Sequence, residues 1–140
     1  MQLRQFEFER DYQAVLALWR AAGPGIHVGP SDGPAELARK LQRDPDLFPI
    51  AEVDGKLIGS VLGGFDGRRG MVYHLAVDAG WRGQGIGSVL MDEVEARLVA
   101  RGCRKAYLLV APENAEVTQF YARRGWALMD VLPMGKEFGA

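Results

Sequence analysis

Hydrophobic and polar residues follow two different periods along the first forty-five residues. Leu3 to Phe8 alternate between the two types, which predicts a first strand. Apolar residues then recur at helical spacing, which predicts an amphipathic helix, at Tyr12, Val15, Leu16, Trp19 and Ala22. Gly23-Pro24-Gly25 ends this helix, and residues 26–33 are predicted to form a loop. Pro34 is typical of a first helical turn, so a short second helix is expected to end before Pro45.

The period shortens in the middle of the chain, which indicates strands. Residues 48–53 and 56–65 are predicted to pair as a hairpin, because Asp54-Gly55 between them favours a tight turn. The chain turns again at residues 66–70. Met71 to Val77 is almost entirely apolar, which is typical of a central strand that is covered on both faces.

The second half of the chain mixes helical and strand patterns. We predict the following elements in order: a helix over residues 86–100 stopped by Gly102, a strand at 106–110, a helix at 114–124 stopped by Gly125, and a closing pair of strands at 126–131 and 133–138. Hairpins force antiparallel pairs and helical crossovers give parallel ones. The sequence therefore predicts one α/β domain over residues 1–140, with a mixed central sheet and helices on both faces.

Composition and charge exclude several classes of protein. The chain has 140 residues, 48% of them hydrophobic and 25% charged, with a formal net charge of -1. This charge argues against bulk electrostatic binding to nucleic acid or to a membrane surface. No apolar run approaches the ~20 residues of a membrane span, and no signal peptide is evident. Cys103 is the one cysteine, so we expect no internal disulfide and a reducing, cytoplasmic location.

The sequence Trp81-Arg82-Gly83-Gln84-Gly85-Ile86-Gly87-Ser88 is the strongest candidate for chemistry. Alternating glycines between a strand and a helix let the backbone approach a ligand closely, and the helix N-terminus favours an anion. A Rossmann loop would need its third glycine at position 88, and a P-loop would need a lysine that is absent here. A simple helix cap usually needs one glycine. We therefore favour a phosphate-bearing ligand, and Arg82 adds a cation where the phosphate would lie.

These residues resemble a known family. Residues 82–87 match the Arg/Gln-x-x-Gly-x-Gly/Ala motif of the GNAT N-acetyltransferases, and residues 74–78 resemble the family's fourth strand. Asn114 and Tyr121, followed by Gly125-Trp126, resemble its Asn…Leu-Tyr-x-x-x-Gly-Phe segment. More narrowly, residues 63–70, 100–103 and 130–132 are similar to small bacterial YpeA-type acetyltransferases.

The resemblance implies a fold and a set of cofactor-binding residues. It implies strands splayed apart at the CoA site, between residues 71–77 and 106–110, with acetyl-CoA as co-substrate and no metal. By the same analogy, the residues that bind the cofactor are Leu75, Ala76, Val77, Arg82, Gly83, Gln84, Gly85, Ile86, Gly87, Ser88, Asn114, Tyr121 and Arg124. The backbone amides of residues 82–88 would hold the pyrophosphate. Leu75–Val77 and Asn114 would bind the pantetheine arm, and Arg123 or Arg124 would reach the 3′-phosphate. A solvated helix end is the alternative for those arginines.

Two residues are expected to carry the chemistry. Tyr121 would protonate the leaving thiolate, although a tyrosine on an apolar helix face would otherwise be a core residue. His74 is the first candidate for the general base, because its ordinary pKa of ~6.5 suits that role. Glu52 and Tyr73 are the other candidates. His27 and Asp32, in the loop before the second helix, are expected to shape the acceptor pocket, or else to serve ordinary turn chemistry, and Cys103 to pack.

The function that this resemblance implies is direct acetyl transfer from acetyl-CoA to a primary amine in a ternary complex. The acceptor is a small-molecule amine or a protein amino group, and we expect neither nucleic acid nor a membrane as a partner. The sequence leaves open a non-catalytic acyl-CoA-binding or sensing module, and a transferase that uses another acyl group. The last two predicted strands could also pair across a homodimer.

Overall fold

The computed structural model describes residues 1–139 and contains one mixed sheet. Its five strands lie side by side in chain order: β1 Gln2–Gln5, β2 Pro49–Val53, β3 Lys56–Phe65, β4 Gly70–Val77 and β5 Ala106–Leu108. The first three pairings are antiparallel and the β4–β5 pairing is parallel. The mixed α/β sheet predicted from the sequence is confirmed.

Helices cover both faces of this sheet. They are α1 Phe8–Arg20, α2 Pro34–Arg43, α3 Ile86–Ala100 and α4 Thr118–Arg123. Side chains of α1 and α2 pack into one apolar cluster and side chains of α3 into a second. Neighbouring residues of β2 alternate between them, with Ile50 in the first cluster and Ala51 in the second. β2 and β3 are therefore buried on both faces. The same burial was predicted for β4 from its apolar run, but β4 is only partly buried, and its Tyr73 is 37% exposed.

Two glycines of β3 allow α3 to lie directly on the sheet. A Cβ on Gly59 would come within 2.9 Å of Leu90 Cδ1, and a Cβ on Gly63 within 2.8 Å of Val94 Cγ2. Larger residues at these positions would push the helix away. This close packing fixes the distance between α3 and the sheet, and with it the position of the α3 N-terminus relative to the end of β4.

The first strand is shorter than predicted. β1 ends at Gln5 and α1 begins at Phe8, so the prediction of a strand through Phe8 was wrong at its end. The Asp11 carboxylate accepts a hydrogen bond from the backbone N–H of Glu7 at 2.8 Å, which turns the chain into the helix. Phe6 instead stacks on Phe48, with ring centroids 4.2 Å apart.

The C-terminal segment corrects a second prediction. Within the described residues 126–139 no strand forms, although the alternation there predicted two. Leu132 and Met134 are 91% and 96% exposed. β5 is only three residues long and so offers few ladder partners, and Pro133 has no N–H to donate. Apolar alternation alone therefore did not produce a strand.

The segment before α4 is also not the regular helix predicted from residue 114. Pro112–Val117 forms a 3-10 helix that bends at Asn114, where φ is -117° and ψ is 24°. The α-helical part is confined to Thr118–Arg123. In the described part of the chain, no helix is long and apolar enough to cross a membrane.

Candidate active site

A crevice opens where the two parallel strands separate. Residue pairing between β4 and β5 ends at Val72 and Leu108, although β4 continues to Val77. Beyond these residues, β4 has no partner strand on its β5 side. Its main-chain groups on that side can therefore pair with an extended ligand.

A bulge in β4 lies at the mouth of this opening. Ser60 of β3 is opposite Ala76 of β4, and Leu62 is opposite Tyr73, so three steps along β4 match two along β3. His74 lies within the bulge and has a left-handed backbone, with φ of 55°. Such a conformation is uncommon for a non-glycine residue. The sequence had placed His74 in an ordinary strand, and the bulge was not predicted.

The crevice has a volume of about 400 Å³ and draws its walls from four parts of the chain. These are the loop after α1, the end of β4, the segment after β5, and the 3-10 helix with α4. Its lining includes His27, Tyr73, His74, Leu75, Val110, Asn114 and Tyr121. Several residues that the sequence singled out for chemistry are thus brought together around one cavity.

The glycine loop lies beyond the end of β4 and leads into α3. Gly83 and Gly85 have left-handed backbones, with φ of 78° and 79°, and open space where a Cβ would stand. Gly85 is the N-cap of α3 and makes no side-chain cap. The first helical hydrogen bond is that of the Val89 N–H to the Gly85 carbonyl, at 3.1 Å. The N–H groups of residues 85–88 therefore have no acceptor in the described chain, and the helix dipole adds positive potential there.

Arg82 braces this loop through backbone carbonyls. Its Nε donates to the Val77 carbonyl at 3.1 Å, and its Nη2 donates to the Ala22 carbonyl at 3.2 Å. The side chain thus joins the end of β4 to the end of α1. These contacts favour a structural role for the guanidinium, which the sequence had suggested as a cation beside a phosphate.

Arg124 is engaged by carboxylates of α3. Its Nη2 lies 2.5 Å from Asp92 and 3.4 Å from Glu95, and only 14% of the side chain is exposed. Burial alone would lower the pKa of Arg124, but these two carboxylates raise it above its ordinary value. The pairing favours a role in holding α4 against α3 over the 3′-phosphate contact expected from the sequence.

Tyr121 and Asn114 stand on the same wall of the crevice. The Tyr121 ring packs edge-on against Phe120 and Trp126, at 5.1 and 6.3 Å between centroids. Burial raises the pKa of Tyr121 above its ordinary 10.0, so the phenol keeps its proton at neutral pH. Asn114 also touches the loop after α1, because a Cβ on Gly25 would lie 2.5 Å from its Nδ2.

His74 contacts a carboxylate that the sequence did not assign to it. Its Nε2 lies 2.9 Å from Oδ1 of Asp32, which is only 5% exposed. Asp32 and His27 had been considered together as residues that shape the acceptor pocket. His27 lines the crevice, contacts Glu113 at 2.9 Å and is largely exposed. No signal in the sequence could pair Asp32 with His74, because they are 42 residues apart.

The two other base candidates are poorly suited to that role. Glu52 accepts a hydrogen bond from Arg4 at 3.1 Å, which holds the pKa of this carboxyl below its ordinary range. Glu52 shares Arg4 with the Asp11 carboxylate and does not line the crevice. Tyr73 lines the crevice, but burial and the charge of Asp44 raise the pKa of its phenol. Neither group therefore matches a base that works near neutral pH.

Comparisons with known proteins agree with this architecture. The model of the Acetyltransferase (GNAT) family matches residues 12–126. An acetyltransferase of Pectobacterium atrosepticum is 39% identical over 137 residues, which are 98% of this chain and 95% of that protein. An acetyltransferase of Sodalis glossinidius is 39% identical over 138 residues, with the same coverage of each chain.

A solved structure shares the fold at lower identity. The PaiA N-acetyltransferase from Thermoplasma acidophilum, in complex with coenzyme A, superposes with a TM-score of 0.79 at 20% identity. The match covers 93% of this chain and 91% of that one. The family model spans most of the chain, and the bacterial relatives align over nearly all of it. The chain therefore belongs to the GNAT family of acetyltransferases.

Proposed function

We propose that this acetyltransferase moves the acetyl group of acetyl-CoA directly to a primary amine in a ternary complex. The observation that carries the proposal is the stretch of β4 beyond Val72 that β5 leaves unpaired. This edge begins at the crevice, which Tyr121 and His74 line, and the chain after β4 leads through the glycine loop to the free amides before α3. A long ligand would place a phosphate at these amides and a reactive group in the crevice.

The free amides would bind the pyrophosphate of the donor. N–H groups from Gly85 to Ser88 point out of a helix N-terminus, and neither Gly83 nor Gly85 carries a Cβ that would keep a phosphate away. The Thermoplasma neighbour, solved with coenzyme A, shares the fold and gives further support.

The pantetheine arm would lie along the open edge of β4. Main-chain groups of Leu75, Ala76 and Val77 would pair with it as with an added strand, since β5 has already separated. Asn114, across the crevice, offers an amide to the same arm. Backbone N–H groups at this point would also polarise the thioester carbonyl.

Two side chains would handle the protons. His74 takes one proton from the ammonium form of the acceptor, and the free amine nitrogen attacks the carbonyl carbon to form the C–N bond. As the C–S bond breaks, Tyr121 gives its phenolic proton to the departing sulfur. The nitrogen then loses its second proton, which returns through solvent to the Tyr121 oxygen. His74 releases its proton to solvent, so the products are an amide, a free thiol and one proton.

The geometry of the crevice does not choose between two classes of acceptor. A small-molecule amine and a protein amino group both supply the nitrogen that the reaction needs. Retention of a protonated phenol in the crevice favours an enzyme over a module that only binds or senses acyl-CoA. The amides before α3 would hold only the CoA portion, so they would accept other acyl groups equally well.

Thiol release from acetyl-CoA, followed with a panel of amines, tests the proposal. The panel should include polyamines, amino acids, aminoglycosides and peptides with a free N-terminus. Parallel reactions with propionyl-CoA test the acyl preference, and a protein-only blank corrects for Cys103. We expect amine-dependent release that is fastest with acetyl-CoA. Binding of acetyl-CoA without thiol release in the presence of any amine would favour the sensing module. Faster thiol release from propionyl-CoA would mean that the propionyl group, and not the acetyl group, is the preferred substrate.

A further inference from the structure

Asp32 is held rigidly at the side of the crevice. It ends the single 3-10 turn Pro30–Asp32 between α1 and α2. Its Oδ2 accepts the Gly29 N–H at 3.0 Å, and its backbone carbonyl accepts the Tyr12 hydroxyl at 2.9 Å. Its remaining carboxylate oxygen, Oδ1, is directed at His74. Two contacts hold the buried carboxylate and one holds its backbone, so the side chain has little freedom to move.

The His74 ring is also fixed. It packs edge-on against Trp19, with centroids 4.6 Å apart, and the indole N–H of Trp19 donates to Ser60 Oγ at 3.0 Å. An ionised carboxylate can only accept hydrogen bonds, so Nε2 of His74 must carry the hydrogen in this contact. Nδ1 is left with a lone pair, and none of the described residues donates a hydrogen bond to it.

We propose that Asp32 is a positioning residue that holds His74 in the Nε2–H tautomer, so that Nδ1 serves as the base for the acceptor amine. This inference rests on the proposed acetyl transfer. The ammonium proton moves to Nδ1 while the Nε2 hydrogen stays in place, and the imidazolium forms beside the ionised Asp32, which stabilises it without taking up a proton. The proton on Nδ1 then passes to solvent.

The electrostatic surroundings single out Asp32 among the neighbours of His74. Trp19 of α1 and Ser60 of β3 carry no charge, and Tyr73, whose ring centroid is 6.2 Å from that of His74, keeps its phenol proton because burial raises its pKa. His27 and Tyr121 line the same crevice. Asp32 is therefore the one carboxylate in contact with His74 in the described chain.

Nitrogen-15 NMR of the imidazoles tests the tautomer directly. The 140-residue chain has 2 histidines, so His27→Gln leaves a single imidazole to observe. We expect the Nε2–H form for neutral His74, and a mixture of tautomers or the Nδ1–H form after Asp32→Asn. The Nδ1–H form in the protein that retains Asp32 would overturn the inference, and this measurement does not depend on any Asp32 variant folding.

The pH dependence of kcat/KM distinguishes this role of Asp32 from a purely structural one, which would leave that dependence unchanged. Asp32→Asn should lower kcat/KM about tenfold or more and move the acidic limb of its pH profile to lower pH, because an adjacent negative charge has been removed. Glu113→Gln is the matched control, since it removes the carboxylate beside the other histidine. It should leave the limb in place.

The results separate this inference from the proposed function. An Asp32→Asn enzyme with an unchanged acidic limb would overturn the role of Asp32 while leaving acetyl transfer intact. Absence of thiol release by the wild-type enzyme would instead reject the proposed function, and the base role with it, whatever tautomer the NMR spectrum reports.

Discussion

Val72 and Leu108 are the last paired residues of the two parallel strands, and the sheet opens immediately beyond them. This one register position determines where an extended ligand can lie against β4. It also places the bulge at His74 two residues further along, at the side of the opening.

Tyr121→Phe should lower turnover by about 10²-fold or more, because the departing sulfur would lose its proton donor. Affinity for acetyl-CoA should change little, since the ring and its packing against Trp126 remain. Single-turnover kinetics and equilibrium binding separate the two effects. Tyr107→Phe is the control, because its hydroxyl contacts Arg69 Nε at 3.3 Å and lies outside the crevice. Equal turnover by the two variants would remove Tyr121 from the mechanism.

His74→Gln should abolish the acidic limb of the kcat/KM profile between about pH 5 and 8, because no group that titrates in this range would remain as base. The measurement is the initial rate of thiol release across that range. His27→Gln, which changes the other histidine, should keep the limb. A His74→Gln profile with the limb in its original place would dismiss His74 as base and turn attention to a water-mediated route.

Gly85→Ala should weaken acetyl-CoA binding several-fold, because a Cβ would enter the space above the free amides. The left-handed backbone there should also cost about 1–2 kcal/mol of stability with alanine. Gly102→Ala is a matched control at the other end of α3, with φ of 93° and equally open space. We expect both variants to lose similar stability in urea unfolding. Only Gly85→Ala should lose affinity, and equal affinity in the two variants would count against a phosphate site at this loop.

Acid should destabilise the protein by weakening the ion pairs that Arg4 of β1 makes with Asp11 and Glu52. The hydrogen bond from Arg4 holds the pKa of Glu52 below its ordinary 4.5, so the folded state favours the ionised carboxylate. Its contribution to the free energy of unfolding is complete above that pH and is lost as pH falls through the lower, folded-state pKa. Glu52→Gln should therefore be less stable than wild type at pH 7, with a smaller difference near pH 3. Urea titrations at both pH values measure this, with the exposed Glu9→Gln as control. A difference that is equal at the two pH values would contradict the ion-pair explanation.

Much of the fold was accessible from the sequence because its signals were local. The apolar run of Met71–Val77 predicted a buried central strand, and the Asp54-Gly55 turn predicted the hairpin between β2 and β3. The strand and the hairpin both form, since each depends on a pattern within a few residues, but the strand is only partly buried. The mixed sheet followed from the order of these elements.

The features that the sequence did not reveal depend on tertiary partners. The strands predicted at residues 126–131 and 133–138 had a suitable pattern but no adjacent edge long enough to pair with. The bulge at His74 and its contact with Asp32 require two distant segments to meet, as do the carboxylates that engage Arg124. Spacing along the chain identified Tyr121 and Asn114 as residues for the site, but it could not say which side chains would stand beside His74.

Titration calorimetry with acetyl-CoA tests the central claim most directly. We expect one acetyl-CoA to bind per chain, with free CoA competing for the same site, and with Gly85→Ala binding more weakly than Gly102→Ala. Addition of an amine acceptor to the saturated complex should then release the thiol. Failure of the wild-type protein to bind acetyl-CoA would contradict the assignment of the crevice and the glycine loop as the donor site.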